Sequence, residues 1–191
     1  PEDIAREIFV ECPLAHPTFF LRSKIVDAIG GYRDQGWPED YDLLFRLWAE
    51  GYRLGKVPVQ LLRWREHPGR LSRAHRRYSP ESFLACKVYY LQRTLLQGMD
   101  GAVIWGAGPV GKAVARALLS AGTRVLAFVD LNPQKLGQEI HGAPVVDTES
   151  GLRTRGCLHL AAVGQEGARQ LLRATLDGAG FRELVDFAAV A

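Results

Sequence analysis

The chain has 191 residues, of which 47% are hydrophobic and 24% charged. This is the composition of a globular protein with enough apolar surface for a core, and it excludes a disordered chain, a collagen-like fibre and a low-complexity linker. The net charge of +3 is too near balance to indicate nucleic-acid binding. No apolar run approaches the roughly 18 residues of a membrane span. Because the chain starts with Pro1 and not Met, we expect it to be a piece of a longer protein.

Positive charge is concentrated in residues 63–77, where six arginines accompany a single acid, Glu66. Such a stretch either attracts a phosphate or phospholipid surface or forms a solvated loop.

The cysteine content indicates the compartment. Three cysteines, an odd number with no Cys-x-x-Cys pair, fit neither a disulfide framework nor a zinc site. A reducing, cytoplasmic location is the simplest expectation.

The first half of the chain predicts short strands and helices in alternation. Apolar residues at helical spacing before Gly51, a natural helix stop, indicate its clearest helix. In chain order, the predicted elements are a strand over 17–21, a helix over 23–29, a helix over 38–50 and a strand over 54–64. These elements predict an α/β segment.

A turn-prone sequence at 98–101 separates the two halves, and a helix predicted over 80–97 leads into it. We therefore predict a first domain over 1–78, a connecting helix over 79–99 and a second domain over 100–191. In the second domain, predicted strands over 102–105, 125–129 and 158–163 alternate with helices over 112–121 and 167–176. This alternation predicts a Rossmann-like parallel sheet with right-handed crossovers.

A glycine-rich loop follows the first of these strands. Gly106, Gly108 and Gly111 have the spacing GxGxxG, and Asp130 ends the next strand. In dinucleotide-binding folds the glycines permit a tight turn, backbone approach to a pyrophosphate and close helix packing, while the acid accepts hydrogen bonds from a ribose diol. These residues predict a site for NAD or a nucleotide sugar. The alternative is a Rossmann-like fold whose pocket is empty or serves only protein interaction.

Three carboxylates, those of Glu39, Asp40 and Asp42, open the helix predicted over 38–50. They either hold a metal ion or supply a general base, or they simply cap the helix. Asp40 and Asp42 imitate the Asp-x-Asp metal motif of sugar-nucleotide transferases, but positions i and i+2 of a helix point to different faces.

Several sequence blocks occur together and in order between residues 16 and 72. They are His16-Pro17-Thr18, Gly30-Gly31-Tyr32-Arg33, Glu39-Asp40-Tyr41-Asp42-Leu43, Arg46-Leu47, Gly51, Arg65-x-His67 and Ser72. This series resembles the acceptor-side half of family 2 glycosyltransferases of the GT-A fold. The resemblance implies a partial GT-A-like α/β segment in which Asp40 is the catalytic base for the acceptor hydroxyl and Glu39 is its neighbour.

The same resemblance implies inverting transfer from a nucleotide-sugar donor to a glycan or lipid-linked acceptor in bacterial surface polysaccharide synthesis. A divalent metal, Mn²⁺ or Mg²⁺, would help the nucleoside diphosphate to leave. His67 either approaches that metal or diphosphate or is a structural histidine. The donor-binding half of the family is missing from this chain, so the chain alone is expected to be inactive. Residues 63–77 would give a peripheral contact at the inner face of the membrane.

The second domain carries a further series, namely Asp130, Asn132-Pro133, Gly137, Ile140, Gly142 and Pro144-Val145. With the glycine loop, this series resembles the N-terminal nucleotide-binding domain of bacterial sugar O-acyltransferases and the leading domain of polysaccharide-biosynthesis nucleotide-sugar dehydratases. No Tyr-x-x-x-Lys pair accompanies it. A non-catalytic nucleotide-binding or regulatory module is therefore the alternative to a transferase, and an NAD-dependent oxidoreductase is the third hypothesis.

Overall fold

The computed structural model describes residues 1–63, 65 and 69–191. The chain forms two compact units, Pro1–Lys87 and Val88–Ala191, which we call the first and second units. The division lies within one helix, Pro80–Arg93, which ends earlier than the helix predicted over 80–97. No helix in the described part of the chain is both long and apolar enough to cross a membrane.

The described part of the first unit is helical. Its elements are α1 (Glu2–Glu7), a 3₁₀ turn (His16–Thr18), α2 (Ser23–Ala28), α3 (Glu39–Ala49), α4 (Leu71–Ala74), a second 3₁₀ turn (Arg76–Tyr78) and the start of α5 (Pro80–Arg93). The helices predicted over 23–29 and 38–50 are confirmed as α2 and α3. Gly51, with φ of +79°, follows α3 as its predicted stop.

Two strands were predicted for this unit, over 17–21 and 54–64. Both predictions are wrong, because the described residues of these ranges form no strand. Residues 16–18 form the 3₁₀ turn, and residues 54–63 pair with no strand. An extended segment needs a hydrogen-bonded neighbour to become a strand, and alternating apolar residues do not supply one. Val57, Val59 and Leu61 remain exposed by 61%, 63% and 76%. The strands that the expected α/β architecture of this segment requires are thus not observed in residues 1–63, 65 and 69–78.

The inner face of α3 holds the first unit together. Leu43, Leu44 and Leu47 are at most 2% exposed and pack with Ile29 and with partly buried residues of the preceding segment. Burying each such side chain stabilises a fold by about 1.5–3 kcal/mol. These three positions and Trp48 are those whose spacing predicted the helix.

A buried ion pair fixes α3 to the turn that follows α2. Arg46 donates from Nε to Asp42 Oδ2 at 2.8 Å, and its two Nη atoms donate to the carbonyl oxygens of Ile29 and Gly31 at 2.8 and 2.6 Å. Asp42 Oδ1 accepts from the Trp37 indole at 3.0 Å. Asp42 is 1% exposed and both of its oxygens are engaged in these contacts, which gives it a structural role.

The second unit contains one six-stranded sheet. Its elements are β1 (Ala102–Trp105), α6 (Pro109–Ser120), β2 (Val125–Val129), β3 (Glu139–Ile140), β4 (Ala143–Val146), α7 (Thr148–Arg153), β5 (Leu158–Ala161), α8 (Ala168–Gly178) and β6 (Phe187–Ala189). The strand order is β3-β4-β2-β1-β5-β6, and every neighbouring pair is parallel except β3 with β4. The chain is thus α/β, and the predicted Rossmann-like parallel sheet is confirmed.

The strand order creates a switch point between β1 and β5. From β1 the chain adds β2 and β4 on one side of the sheet, and it then crosses to add β5 and β6 on the other side. In open parallel sheets, ligands bind in the crevice beyond the carboxyl ends of the strands at such a point. The glycine loop follows β1 directly and therefore lies there.

Helix α6 packs unusually close to the loop that precedes it. A Cβ atom at Gly111 would lie 1.8 Å from the carbonyl oxygen of Gly106 and 3.3 Å from Ile104 Cγ2. Only a glycine allows the first turn of α6 to approach the end of β1 to this extent. This is the role that the loop spacing predicted for its third glycine.

A buried histidine lies on the central strands of this sheet. Trp105 Nε1 donates to His159 Nδ1 at 2.9 Å, so the proton of the neutral ring is on Nε2, which faces the Thr154 carbonyl oxygen at 3.1 Å. His159 is fully buried. Burial lowers the pKa of His159 from 6.5 to about 4, against a smaller raising effect of the Thr154 carbonyl.

We expect Gly111→Ala to destabilise the second unit by about 3 kcal/mol, because its methyl group would overlap a backbone oxygen. The matched control is Gly178→Ala at the end of α8, where a Cβ meets no atom within 4 Å and φ is not positive. Hydrogen–deuterium exchange at β1 and β2 measures the loss. Equal exchange rates in the two variants would show that α6 does not pack as described.

We also expect the second unit to lose stability in acid. Below pH 6.5 the unfolded chain binds a proton at His159 that the folded state accepts only near pH 4. Between pH 7 and pH 5 this costs about 2 kcal/mol of unfolding free energy. Urea unfolding of the wild type and of His159→Gln measures it, since glutamine does not titrate. The same pH dependence in both proteins would exclude His159 as the cause.

Candidate functional site

The glycine loop leaves an open cradle at the N-terminus of α6. Gly108 is the N-cap of α6, and a Cβ atom placed there would meet nothing within 4 Å. Pro109 occupies the first helical position, where its missing N–H costs nothing. The N–H groups of Val110 and Gly111 follow in the first turn, where helices have no internal acceptors. The cradle therefore offers N–H donors and the positive end of a 12-residue helix.

The other glycine of the loop makes the turn possible. Gly106 has φ of +110°, a conformation that L side chains rarely adopt, and a Cβ there would lie 2.6 Å from Val163 Cγ2. The segment after β5 also reaches the start of α6, because a Cβ at Gly164 would contact Val110 Cγ2 at 3.4 Å. The cradle is thus bordered by the chain segments that follow β1 and β5.

Asp130 connects the end of β2 to the glycine loop. Its Oδ2 accepts from the Ala107 N–H and from Lys135 Nζ, both at 2.9 Å, and its Oδ1 accepts from the Asn132 N–H at 2.9 Å. Burial alone would raise the pKa of Asp130, but Lys135 and the two N–H groups outweigh it and lower that pKa. Asp130 is therefore a charged acceptor at the edge of the cradle.

The structure brings together the four residues that the sequence predicted for this site, Gly106, Gly108, Gly111 and Asp130. Sequence reasoning missed Lys135, which lies five residues after Asp130 in the turn that follows β2. Its ammonium forms an ion pair with the predicted ribose acceptor, and the lysine side chain is 33% exposed. A basic residue shortly after the acid was the available signal, but spacing alone does not show where a lysine in a turn points.

The first unit contains a separate cluster of polar side chains at the start of α3. Glu39 accepts from the Tyr78 hydroxyl at 2.8 and 3.0 Å and from Arg77 Nη1 at 3.4 Å. Arg77 Nη2 also donates to Asp34 Oδ1 at 2.7 Å. These contacts come from the second 3₁₀ turn, which the sequence placed in a basic loop. Arg77 therefore serves the cluster and is not simply a solvated charge.

Asp40 has a different environment from Glu39. Its Oδ1 accepts from the Tyr41 N–H at 2.8 Å, while its Oδ2 lies 3.8 Å from His16 Nδ1, which is also 3.9 Å from Glu39 Oε1. The other nitrogen of that ring, Nε2, lies 2.8 Å from the Tyr32 hydroxyl. The predicted base thus has one short hydrogen bond and one oxygen that faces a histidine.

The pKa values of the two adjacent carboxyl groups are shifted in opposite directions. Burial raises the pKa of Asp40 and outweighs the Tyr41 N–H and His16. Burial also acts on Glu39, but its own backbone N–H, Tyr78 and Arg77 together lower the pKa of that group. The local environment therefore makes Asp40 a stronger base, and Glu39 a weaker base, than an ordinary carboxylate of its type.

No metal centre is found among the described residues. Within residues 1–63, 65 and 69–191, no group of three or more histidine, cysteine, aspartate or glutamate side chains is arranged to hold a metal ion. His67, the residue predicted to approach a metal, lies outside the described residues.

Comparison with known proteins gives limited information. No protein-family model matches the chain, and no curated protein matches it. Two similar solved structures are titled as RSP, a Rex-family repressor, and RSP in complex with beta-NADH. They are 19% and 20% identical, with TM-scores of 0.42 and 0.41, over 56% and 57% of this chain. The matched regions span 60% and 62% of those repressor chains. The Rossmann-like assignment therefore rests on the strand order itself.

Proposed function

We propose that the second unit is a binding module for a nucleotide with a diphosphate and a free ribose diol, such as NAD or a nucleotide sugar. The observation that carries the proposal is the open cradle at Gly108, which lies at the switch point of the sheet with Asp130 at its edge. A diphosphate fits this cradle, because it takes N–H donors and the positive end of a helix. A ribose diol fits Asp130, because a carboxylate accepts from hydroxyl groups.

In this proposal the second unit binds the nucleotide and does not catalyse a reaction on it. The groups that hydrogen bonds connect at the cradle are backbone N–H groups, the Asp130 carboxylate and the Lys135 ammonium. None of them forms the nucleophile–base pair or acid–base pair that a transfer or hydride reaction needs. A sensing or regulatory module is consistent with this set of groups, and an oxidoreductase is not favoured by it.

We expect this chain to bind at least one of NADH, UDP and a UDP-sugar, and Gly108→Val to weaken that binding at least about tenfold. Valine at this position would fill the space through which the diphosphate approaches. It should not unfold the protein, because φ of −89° and ψ of −172° suit any residue. Isothermal titration calorimetry measures the affinity. NADH is included because one similar structure is titled as its complex.

The control for this titration is Gly178→Ala, which should bind as the wild type does. NADPH should bind less well than NADH, because its 2′-phosphate brings negative charge towards Asp130. Equal affinity of Gly108→Val and the wild type would reject the cradle as the site. The absence of binding by any nucleotide would reject the function.

We propose a second function for the first unit, namely that it is the acceptor-side part of an inverting glycosyltransferase with Asp40 as the base. The specific support is the difference between the neighbouring carboxyl groups. Tyr78 and Arg77 help to lower the pKa of Glu39, while burial raises the pKa of Asp40. His16 Nδ1 lies close to both groups, 3.9 Å from Glu39 and 3.8 Å from Asp40. Asp40 would take the proton of the acceptor hydroxyl, and Glu39 would accept a hydrogen bond from the acceptor. A divalent metal would assist the leaving diphosphate in the donor half.

In a longer protein that contains the donor-binding half, we expect Asp40→Asn to lower kcat by a factor of at least about 100, because asparagine cannot accept the proton. Activity of the wild type should fall as the pH decreases through the raised pKa of Asp40, since the base works only when ionised. Asp27 is exposed on α2, so Asp27→Asn is the control for removing one carboxylate and should keep the activity of the wild type. Full activity of Asp40→Asn would reject the assignment.

A further inference from the structure

We propose that Lys135 occupies the ribose position of the nucleotide site and that a ribonucleotide must displace it in order to bind Asp130 through both of its ribose hydroxyl groups. The proposal rests on the nucleotide-binding function given above and assigns a specificity-determining role to Lys135. It follows from the number and kind of donors that Asp130 already holds.

The Asp130 carboxylate has little remaining acceptor capacity. Its two oxygens have about four lone-pair positions. Oδ2 uses two of them, for the Ala107 N–H and for Lys135 Nζ, and Oδ1 uses one, for the Asn132 N–H. One position, on Oδ1, is left.

A ribose diol needs more than that single position. Its 2′ and 3′ hydroxyl groups are two neighbouring donors, and a bidentate contact requires an acceptor position on each carboxylate oxygen. Oδ2 must therefore release one of its donors before both hydroxyl groups can bind.

Lys135 is the donor that can leave. The Ala107 N–H belongs to the glycine loop, whose backbone is fixed by the close packing of α6, and the Asn132 N–H belongs to the turn after β2. Lys135 reaches Asp130 through a flexible side chain that is 33% exposed, so its ammonium can move to water. Breaking a partly exposed ion pair of this kind lowers affinity by a modest factor only.

A nucleotide that lacks the 2′ hydroxyl provides the discriminating probe. Its single 3′ hydroxyl can use the free position on Oδ1, so it has no need to displace Lys135. The wild type should therefore distinguish poorly between a ribonucleotide and its 2′-deoxy form. Removing the ammonium should improve the binding of the ribonucleotide alone.

The test is calorimetric titration of the chain with ADP and UDP and with their 2′-deoxy forms. In Lys135→Met, which keeps the length of the side chain without the charge, we expect the ribonucleotide to bind about fivefold more tightly than to the wild type. The affinity for the 2′-deoxy form should be unchanged. Because salt screens the ion pair, the advantage of Lys135→Met should shrink as salt is added.

Two further variants distinguish displacement of the Lys135 ammonium by the ribose from a general effect of positive charge on nucleotide affinity. Lys135→Arg keeps a cation at Asp130 and should restore the wild-type pattern. Lys112→Met removes a cation from the first turn of α6 and should change ribonucleotide and 2′-deoxynucleotide affinity by the same factor. Urea unfolding of each variant checks that the second unit stays folded.

The possible failures are distinct. If wild type and Lys135→Met bind a ribonucleotide equally, or if Lys135→Met binds it more weakly, Lys135 does not compete with the ribose and the inference is rejected. An equal gain with the 2′-deoxy form would also reject it. If neither protein binds any of the four nucleotides, the proposed function of the second unit fails, and this inference fails with it.

Discussion

The architecture of the second unit depends on the contact between the backbone of α6 at Gly111 and the carbonyl oxygen of Gly106. A side chain at Gly111 would push the helix away from the end of β1. With glycine, the first turn of α6 lies directly at the switch point, and its N–H groups border an open space at Gly108. The positive N-terminus of α6 attracts an anion only if the anion can reach it. The absence of a side chain at Gly111 therefore determines whether this helix end can act as an anion site.

Asp130 extends this arrangement from the loop to the neighbouring strand. By accepting the Ala107 N–H it fixes the loop, and by facing the cradle it is available to a ligand. The Asp130 carboxylate therefore fixes the loop and, in the proposed site, would also accept from the ligand, so its removal would disturb both. In the described part of the chain, the Lys135 ammonium donates to the Asp130 carboxylate and not to the glycine loop. A substitution of Lys135 therefore tests ligand binding without removing the hydrogen bond that fixes the loop.

The local sequence was sufficient to predict those elements whose structure depends on neighbouring residues alone. The strands at 102–105 and 125–129, the helix α3 with its stop at Gly51 and the glycine loop all depend on residues within about one turn or one strand. The strands predicted over 17–21 and 54–64 failed because a strand needs a partner, which alternation of apolar residues does not provide. The short strands β3 and β6 were missed because they are only two and three residues long. The Lys135–Asp130 and Trp105–His159 contacts depend on tertiary structure, which spacing does not encode.

The first unit shows how neighbouring residues of one type acquire different properties. Glu39, Asp40 and Asp42 lie within four consecutive positions, yet they have different hydrogen-bond partners. Asp42 accepts from Arg46, and Glu39 accepts from Tyr78 and Arg77. Asp40 accepts from the backbone N–H of Tyr41. The helix N-terminus favours the charged form of all three. Burial outweighs the other contacts at Asp40 and raises its pKa, whereas at Glu39 its own backbone N–H, Tyr78 and Arg77 outweigh burial and lower the pKa. The assignment of Asp40 as the base therefore depends on the partners that its neighbours hold and not on the acidic sequence itself.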